Sequence, residues 1–298
     1  MVKPPHVSVI VPIFNSATTI RRAIDSIVAQ TFSDLEIIVV DDGSTDQGAD
    51  LIAQWHIDRL SLIRHPDNRG AAAARNTGIA AARGRWIAFL DSDDTWKSDK
   101  LERQIAALGT PASFNFRACA TGYFLHKNNQ TLTVRLNLSP SQFRRNILFG
   151  CTISPGTTLL VDRAVFEEIG NFDEDFRRLE DWDWLLRFSQ RQDCDMQVLS
   201  EPLADIYVKS EKLPLSPHAL DPVMHSIAGI GAKRLPAFKG ASRRQLQSSL
   251  LVEKAARLHR AGRPVSAAAY VLAGLAVYPY RNAAFFRTLW RAVKSLLW

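Results

Sequence analysis

Short apolar runs alternate with helical repeats through the first hundred residues of the chain. The runs cover residues 7–13, 35–40, 60–64 and 86–90, and the first two are rich in β-branched side chains. Such runs predict strands that are buried on both faces of a sheet. Because apolar residues at helical spacing lie between them, the pattern predicts repeated β-α-β units. We therefore expect an α/β fold with a mostly parallel sheet, right-handed crossovers and flanking helices.

The pattern changes after about residue 113. Residues 114–126 and 131–137 predict two strands of a hairpin or of a mixed extension of the sheet, and residues 180–190 predict a helix. After about residue 214 the chain is predicted to be helical. The expected helices cover residues 242–261, 265–278 and 283–298.

The composition is that of a globular protein, with 46% hydrophobic and 22% charged residues. It excludes collagen-like, low-complexity and fully disordered classes. No apolar run approaches the ~18 residues of a membrane-spanning helix, and residues 7–11 lack the features of a secretory signal. The three cysteines, Cys119, Cys151 and Cys194, have neither metal-binding nor redox spacing. A reduced, cytoplasmic protein is the simplest interpretation.

The charge is distributed unevenly along the chain. The formal net charge is +7, but residues 233–298 hold 13 Lys and Arg and a single acid, Glu253, and the remainder carries a net charge of −5. This asymmetry indicates a basic extension with an anionic partner, such as a membrane surface or an anionic lipid-linked substrate, rather than nucleic acid. A solvated helix surface explains the same charges equally well.

Acidic residues follow the fourth predicted strand, at the end where open α/β sheets bind their ligands. Asp91 and Asp93 are two residues apart, so their side chains leave the backbone on the same side. Mg²⁺ is usually held by one or two carboxylates together with substrate phosphates. Acids are also common in turns, so this pair alone leaves a metal site and a simple turn both open.

A second acidic pair, Asp41 and Asp42, ends the second predicted strand. A carboxylate there can accept a hydrogen bond from a nucleobase or a ribose, or Asp42 can simply cap a helix. Arg75 lies in the third crossover helix, where it can meet a diphosphate or face solvent. The chain contains neither GxxxxGK[ST] nor GxGxxG, so ATPase and dinucleotide-binding interpretations lack their phosphate loops.

Three acids, Glu180, Asp181 and Asp183, open the helix predicted at residues 180–190. Acids favour helix N-termini because of the helix dipole. A catalytic interpretation requires one acid among apolar neighbours, which raise its pKa toward that of a general base. Trp182 and Trp184 make such surroundings plausible.

Five motifs occur in order along the chain. They are VSVIVPIFN at residues 7–15, QTFSDLEIIVVDDGSTD at 30–46, NRGAAAARNTG at 68–78, LDSDDTW at 90–96, and GNFDE at 170–174, which is followed by Glu180-Asp181. Together they resemble glycosyltransferase family 2, whose members are inverting enzymes with the GT-A fold. The resemblance covers roughly residues 5–210. It implies a GT-A domain over residues 1–212, with a nucleotide-binding half at about 1–110 and an acceptor half at about 111–212, and a basic helical extension over 213–298.

The resemblance also implies the roles of individual residues in donor binding. Pro12, Phe14 and Asp42 match positions that contact the nucleoside, with Phe14 where the family often has a base-stacking tyrosine. Arg75 matches a position that approaches the base or the diphosphate.

The remaining matches imply the chemistry. Asp91, Ser92 and Asp93 match the DXD motif, so Asp91 and Asp93 are expected to bind Mn²⁺ or Mg²⁺, and Asp181 is expected to be the catalytic base. An acceptor hydroxyl then attacks the anomeric carbon while the nucleoside diphosphate leaves from the opposite face. Many relatives complete the metal site with a histidine where this chain has Ser210, so His218 or His225 is a possible substitute.

The substrates that the resemblance implies are a nucleoside-diphosphate sugar, with UDP favoured, and a saccharide or lipid-linked saccharide acceptor. The expected setting is the synthesis of cell-surface polysaccharide or glycolipid. The chain lacks the Q-x-x-R-W motif and the transmembrane helices of processive relatives, which favours transfer of a single sugar.

The last predicted helix is amphipathic. Apolar residues between 285 and 297 recur at helical spacing, and Arg287, Arg291 and Lys294 lie on the other face. This pattern is typical of a helix that lies on an anionic membrane, and it predicts a cytoplasmic protein that is peripheral at the inner face of the cell membrane. The alternative is a helix that packs onto the preceding helices.

Two other functions compete with a transferase. A sugar-nucleotide pyrophosphorylase needs a Gly-rich basic loop after the first strand, where this chain has Pro-Ile-Phe-Asn. A catalytically degenerate sugar-nucleotide-binding protein of the same fold fits the absence of the histidine, although Asp91, Asp93 and Asp181 are all present.

Overall fold

The computed structural model describes residues 5–109, 116–208 and 217–278, and within them nine strands form one sheet. The strands are β1 (Val7–Ile13), β2 (Leu35–Asp41), β3 (Leu60–Arg64), β4 (Trp86–Phe89), β5 (Thr95–Trp96), β6 (Phe116–Lys127), β7 (Gln130–Val134), β8 (Leu160–Asp162) and β9 (Cys194–Tyr207). Their order in the sheet is β3-β2-β1-β4-β8-β6-β9-β5, and β7 pairs with β6.

Helices connect and flank these strands. They are α1 (Ile20–Val28), α2 (Gly48–Ala53), α3 (Ala71–Ala81), α4 (Lys100–Gly109), α5 (Pro140–Asn146), α6 (Pro155–Thr158), α7 (Ala164–Ile169), α8 (Glu180–Gln190), α9 (Pro217–Arg234), α10 (Gly240–Arg260) and α11 (Pro264–Val277). Short 3₁₀ turns lie at Ile147–Phe149 and Leu235–Ala237.

The first half of the sheet is parallel, as the sequence predicts. β1 pairs with β2 and β4, and β2 pairs with β3, all in parallel. Every residue of β2 is buried, because helices cover both faces of a parallel sheet. Ile13 lies opposite Asp41, and Asp41 lies opposite Arg64. The carboxyl ends of the first three strands therefore lie side by side at one edge.

Helix α1 shows how the apolar spacing builds the core. Ile20, Ala23, Ile24 and Ile27 recur at helical spacing, and none is exposed to solvent. They belong to one core cluster with the apolar side chains of β1 and β2. Burying an isoleucine completely contributes roughly 1.5–3 kcal/mol, so this stripe fixes α1 on the sheet.

The second half of the sheet is mixed. β8 pairs antiparallel with β4 and β6, β7 pairs antiparallel with β6, and β9 pairs parallel with β6 and antiparallel with β5. The two strands predicted at residues 114–126 and 131–137 are present as β6 and β7, although residues 114–115 lie outside the described part and β7 ends at Val134. The sheet is therefore mostly parallel only across β3-β2-β1-β4.

Strand β9 was absent from the sequence prediction. It contains Pro202, and the pairing with β6 shifts register beside it, between Thr121 and Gly122. A proline cannot donate a ladder hydrogen bond and is tolerated in a sheet at a bulge or an edge. The bulge therefore explains how β9 continues past Pro202.

The chain divides into two compact units. The sheet unit contains residues 1–143, 153–174 and 191–210, and the helical unit contains residues 144–152, 175–190 and 211–298. Helix α8 thus belongs to the same unit as α9, α10 and α11, although the sequence analysis places it in the first domain. The domain limit at residue 212 stays a prediction.

The helical unit has a core of its own. Leu220, Ala255, Leu258, Ala267 and Val271 form a buried cluster among α9, α10 and α11. The helices predicted at residues 242–261 and 265–278 are confirmed as α10 and α11. The helix predicted at 283–298 lies outside the described residues.

In the described part of the chain, no helix combines the length and the hydropathy that crossing a bilayer requires.

Candidate active site

Arg75 and Asp91 form the centre of the site in the sheet unit. Arg75 Nη2, on α3, donates to Asp91 Oδ1 at 2.9 Å just after β4. The Arg75 side chain is 7% exposed, whereas that of Asp91 is 40% exposed. The buried guanidinium thus orients a carboxylate that remains accessible to a ligand. A charge-assisted hydrogen bond is strong enough to hold that orientation.

Gly156 of α6 lies directly against this pair. A methyl group at its Cα position would lie 2.6 and 2.8 Å from the two carboxylate oxygens of Asp91 and 2.9 Å from Arg75 Nη2. These distances are shorter than any van der Waals contact, so no side chain fits there without displacing the pair. The glycine is therefore required for the close approach of α6.

The next acids in the motif differ in their surroundings. Asp93 is partly exposed, whereas Asp94 is buried. Asp94 accepts hydrogen bonds from the Thr157 hydroxyl and, at 2.9 Å, from the Tyr207 backbone N–H. Burial, together with the negative charges of Asp91 and Asp93, raises the pKa of Asp94 to about 7. Asp94 thus ties the loop after β4 to α6 and to the end of β9.

Ser92 joins the DXD segment to the loop after β1. Its hydroxyl lies 2.7 Å from that of Ser16. In the same loop the Phe14 ring is 48% exposed, and Pro12 is partly exposed at the end of β1. An exposed aromatic ring at the carboxyl edge of a parallel sheet can stack on a planar ligand.

Asn15 fastens the loop after β1 to the loop after β2. Its side-chain oxygen accepts hydrogen bonds from the Thr45 N–H at 2.8 Å, the Thr45 hydroxyl at 3.2 Å and the Asp46 N–H at 3.3 Å. Its own N–H donates to the Ser44 hydroxyl at 3.0 Å. Asn15 has a φ of 51°, a left-handed conformation that asparagine tolerates. The two loops are therefore held as one piece.

Asp42 is buried, and the protein itself engages its carboxylate. Oδ1 accepts from the Arg69 N–H at 3.0 Å and lies 2.8 Å from His65 Nδ1, and Oδ2 accepts from the Gly70 N–H at 2.7 Å. His65 Nε2 lies 2.9 Å from the Thr77 hydroxyl on α3. Both carboxylate oxygens of Asp42 thus hold the backbone of residues 69–70, just before α3 begins. The nucleoside contact of Asp42 stays a prediction.

The GNFDE motif docks on α3. Asn76 accepts from the Phe172 N–H at 3.0 Å and donates to the Phe172 carbonyl at 2.9 Å. It also donates to Glu174 at 3.0 Å, and Glu174 pairs with Arg69 at 3.0 Å. The Phe172 ring lies 5.8 Å from the Arg75 guanidinium. This motif thus supports the helix that carries Arg75.

The DXD segment fits a divalent cation that is held by few protein ligands. Asp91 and Asp93 are partly exposed, and after burial their negative charges are a further cause of the raised pKa of the neighbouring Asp94. Mg²⁺ and Mn²⁺ prefer such oxygen ligands and accept substrate phosphates as the remainder. Among the described residues, no three His, Cys, Asp or Glu side chains converge on a common point. Ser210 lies outside these residues, and His218 and His225 fall in α9 of the helical unit.

Asp181 lies in the helical unit, in the first turn of α8. It is partly exposed, and its Oδ1 accepts from the Trp182 N–H at 2.7 Å. The preceding Leu179 has a φ of 65°, an unfavourable conformation for a bulky residue. Trp182 is buried and donates from its indole to the Ile147 carbonyl at 2.7 Å. Asp181 thus lies between a strained residue, Leu179, and a residue that anchors the helix, Trp182, and its side chain stays partly exposed.

Asp183 is different, because it is fully buried in ion pairs. Its carboxylate contacts Arg187 at 3.2 Å and accepts from Arg234 Nη2 of α9 at 3.0 Å. Such a carboxylate holds α8 and α9 together. The resemblance assigns the catalytic base to Asp181 and not to Asp183.

The structure thus brings most of the predicted residues to one edge of the sheet. Arg75 contacts Asp91, and Ser92 contacts the loop that carries Phe14. Sequence reasoning missed Gly156, Thr157 and the role of Asp94. The segment Ser-Pro-Gly-Thr has turn-forming residues but no signal of its partner some 65 positions away. Only the run of four polar residues after β4 could have drawn attention to Asp94.

Two relatives show what the chain is similar to. It is 52% identical over 103 residues to the succinoglycan biosynthesis protein ExoO of Rhizobium meliloti, which covers 35% of this chain and 30% of that protein. It is 42% identical over 102 residues to UDP-Glc:alpha-D-GlcNAc-diphosphoundecaprenol beta-1,3-glucosyltransferase WfgD of Escherichia coli, which covers 34% of this chain and 40% of that one. The matches thus span less than half the length of either relative.

Two solved structures resemble the fold. S. aureus TarS 1-349 in complex with UDP-GlcNAc has a TM-score of 0.61 at 18% identity, over 90% of this chain and 89% of that one. Mannosyltransferase PcManGT from Pyrobaculum calidifontis, in complex with GDP-Man and Mn²⁺, has a TM-score of 0.57 at 20% identity, over 99% and 88%. These likenesses confirm the GT-A-type α/β fold and its helical C-terminal region.

The model of one protein family matches residues 8–170, a segment that includes β1 to α7 and all of the DXD segment. More than half of the chain is covered, and three of the five ordered motifs, at residues 30–46, 68–78 and 90–96, lie entirely within the match. The chain belongs to glycosyl transferase family 2.

Proposed function

We propose that the protein is a metal-dependent inverting glycosyltransferase that transfers one sugar from a nucleoside-diphosphate sugar to a saccharide or lipid-linked saccharide acceptor. UDP is the favoured nucleotide, since the names of TarS in its complex and of WfgD both refer to UDP-sugars. The names of ExoO and WfgD support a role in the synthesis of cell-surface polysaccharide.

The observation that carries the proposal is the pairing of Arg75 with Asp91 beside Asp93, at the carboxyl edge of a family 2 sheet. A guanidinium fork and two accessible carboxylates suit a diphosphate and a divalent cation. When bound, the cation supplies positive charge that neutralises the departing diphosphate. Arg75 keeps Asp91 in a fixed orientation and excludes water from its own buried side of the site.

The nucleoside is proposed to bind along the loops after β1 and β2. Phe14 stacks on the base with its exposed ring, and Pro12 borders the ring at the end of β1. Asp42 acts by shaping this pocket, because its carboxylate accepts the N–H groups of Arg69 and Gly70. Ser92 keeps the DXD segment against the β1 loop through Ser16.

Asp181 is proposed to be the catalytic base. Its carboxylate removes the proton from the acceptor hydroxyl as the hydroxyl oxygen bonds to the anomeric carbon. The bond from that carbon to the diphosphate oxygen breaks in the same displacement, so the anomeric configuration is inverted. No covalent intermediate with the protein forms.

The first test is the thermal stability of the protein with UDP, GDP, dTDP and CDP, each with and without Mn²⁺ or Mg²⁺. A ligand at about 100 times its Kd stabilises the folded state by nearly 3 kcal/mol. We expect UDP to stabilise the protein when metal is present and Asp93→Asn to abolish the increase. Asp58→Asn is the matched control, because Asp58 is an exposed acid elsewhere in the sheet unit.

Turnover separates a transferase from a degenerate binding protein. We expect Asp181→Asn to lose sugar transfer and donor hydrolysis while UDP affinity stays within about twofold of the parent. A parent protein that binds UDP but neither transfers nor hydrolyses the donor sugar would identify a degenerate binder. If no nucleotide shows metal-dependent stabilisation, the transferase proposal is wrong.

We also propose that the helical unit contacts an anionic membrane from the cytoplasmic side. Val265 and Leu272, seven residues apart on one face of α11, are 85% and 67% exposed. Residues 233–298 supply the positive charge that attracts anionic lipids. Flotation with liposomes of anionic and neutral lipid tests this. We expect flotation with the anionic liposomes alone, reduced by the double variant Val265→Ser, Leu272→Ser, and failure to float would contradict it.

A further inference from the structure

A cleft lies at the carboxyl ends of β6 and β9 in the sheet unit. Its volume is about 470 Å³, and it is lined by Thr19 and Arg22 of the α1 region, Asp93, the β6–β7 turn and Tyr207. We call it the hairpin cleft. Pockets of this size accommodate a mono- or disaccharide. It shares Asp93 with the DXD segment but includes neither Arg75 nor the loops after β1 and β2.

The floor of the hairpin cleft is rigid. The Arg22 guanidinium lies 3.8 Å from the centroid of the Tyr207 ring, and the His126 ring stacks on Tyr207 at 4.6 Å with an interplanar angle of 16°. His126 is fixed at both nitrogens, by Asp205 at 2.8 Å and by the Thr131 hydroxyl at 2.9 Å. A ligand therefore meets a preformed surface, which lowers the entropic cost of binding.

Two basic side chains of the cleft, Arg22 and Lys127, have no ion-pair partner among the residues that the structure describes. Arg22 donates to the backbone carbonyl of Asp93, a neutral acceptor. Of the ion pairs found in residues 5–109, 116–208 and 217–278, none involves Arg22 or Lys127. Asp205, on the neighbouring strand β9, is paired with Lys97 at 2.7 Å and with His126. Two cations thus face a cleft whose one lining acid, in the described residues, is Asp93.

The remaining lining groups are neutral and polar. Asn128 and Asn129 have φ values of 50° and 59°, so they form a two-residue turn of the kind that closes a hairpin tightly. Gln130, Thr131 and Thr19 add amide and hydroxyl groups. Such groups exchange hydrogen bonds with sugar hydroxyls, while arginine and lysine bind an oxyanion.

We propose that the hairpin cleft binds an oxyanion of the acceptor saccharide, a phosphate or a carboxylate, next to the DXD segment. This inference rests on the proposed function, since it assigns an acceptor subsite to the transferase. The donor diphosphate is already provided for by Arg75 and by a cation on Asp91 and Asp93, so the second pair of cations, Arg22 and Lys127, serves a second anion.

The test uses amide chemical shifts of residues 128–131 in the full chain, saturated with UDP and Mg²⁺. The probes are N-acetylglucosamine 1-phosphate, D-glucuronate and neutral N-acetylglucosamine. We expect saturable shifts with the phosphate or the carboxylate, and the probe that binds tighter names the source of the anion. Lys127→Gln and Arg22→Gln should each weaken that binding by about tenfold. Lys239→Gln, an exposed lysine in the helical unit, should leave it unchanged.

UDP affinity, measured separately, distinguishes the possible failures. Equal shifts with the neutral sugar, or no shifts with either anion, would overturn the subsite. So would a loss of UDP affinity in Lys127→Gln together with exclusion of the probe by UDP, because the cleft would then belong to the donor diphosphate. If UDP does not bind at all, the proposed function fails, and the same titration without UDP still tests the cleft.

Discussion

Gly156 lies in contact with the carboxylate of Asp91, although the two residues are far apart in the sequence. A methyl group on Gly156 would approach Asp91 Oδ2 to 2.6 Å. The space between α6 and the Asp91 carboxylate therefore has no room for a side chain at residue 156. Under the proposed function, a substitution of Gly156 would act on donor binding through Asp91, without touching the substrate.

We predict that Gly156→Ala weakens binding of UDP and metal by about tenfold or more and lowers the free energy of unfolding by about 1–3 kcal/mol. The added methyl group must displace the Asp91 carboxylate or the Arg75 guanidinium. Calorimetric titration and urea unfolding measure the two effects. Gly109→Ala is the control, since no described atom lies within 4 Å of the methyl group it would add. Unchanged UDP affinity in Gly156→Ala would show that Asp91 is not needed in its present position.

Asp42→Asn is predicted to destabilise the free protein by about 1–3 kcal/mol. The amide has one acceptor oxygen in place of two, so the N–H of Arg69 or of Gly70 loses its partner. Urea unfolding without nucleotide is the measurement, and Asp50→Asn is the comparison. Asp50 pairs with Arg64 at the surface, where an ion pair contributes little. Equal stabilities of the two variants would contradict a structural role for Asp42.

Replacement by asparagine is predicted to lower the stability of the protein strongly at Asp183 and only slightly at Asp181. Asp183→Asn removes a fully buried negative charge that contacts Arg187 and Arg234 and should cost about 3 kcal/mol of stability. Asp181→Asn, at a partly exposed position, should change stability by less than about 1 kcal/mol. Thermal unfolding of the two variants side by side checks this. A strongly destabilised Asp181→Asn would make its loss of turnover uninformative about the base.

Lys100 is expected to make the folded protein more stable at alkaline pH than at neutral pH. Its ammonium is completely buried, donates to Gln104 at 2.8 Å and lies 4.0 Å from the centroid of the Trp96 ring. Burial lowers the pKa of Lys100 to about 7 from its ordinary 10.5, and the nearby Cys119 thiol opposes that shift. Between these values the unfolded chain binds more protons than the folded one. Stability from this group therefore rises as the pH increases from about 7 to 10.5, and it does not change below about pH 7, where both states hold the proton.

We predict that the free energy of unfolding of the parent protein, relative to Lys100→Met, increases by about 2–3 kcal/mol between about pH 6 and about pH 9. Lys239→Met, at an exposed position, should follow the parent at both pH values. Urea unfolding at the two pH values provides the numbers. Parallel curves for the parent and Lys100→Met would mean that the buried amine keeps its proton throughout.

The sequence predicted best where local pattern and tertiary structure agree. The buried strands β1, β2 and β4 and the acids after β4 follow from apolar runs that end in turn residues. Strand β9 was missed because Pro202 interrupts its pattern, and its pairing depends on a bulge opposite Gly122 in β6. The same limit applies to the site. Asp42 could be proposed as a nucleoside contact from its position alone, but its partners, two backbone N–H groups before α3, have no side-chain signature.

The placement of α8 shows another limit. Its residues 180–190 were predicted exactly, because the apolar spacing is local. Its membership of the helical unit comes from packing against α9 and the turn at Ile147–Phe149, where Asp183 pairs with Arg234, 51 residues away. Charges on different helices carry no periodicity, so pattern alone cannot pair them.

The hydrogen bonds of Asn15 have a consequence for attempts to change which nucleotide the protein accepts. The N–H groups of Thr45 and Asp46, in the loop after β2, donate to the side-chain oxygen of Asn15 in the loop after β1, so replacing the loop after β1 alone removes their acceptor. A graft from a relative with a different base preference should therefore transplant both segments together, residues 12–17 with residues 41–46, as a single cassette.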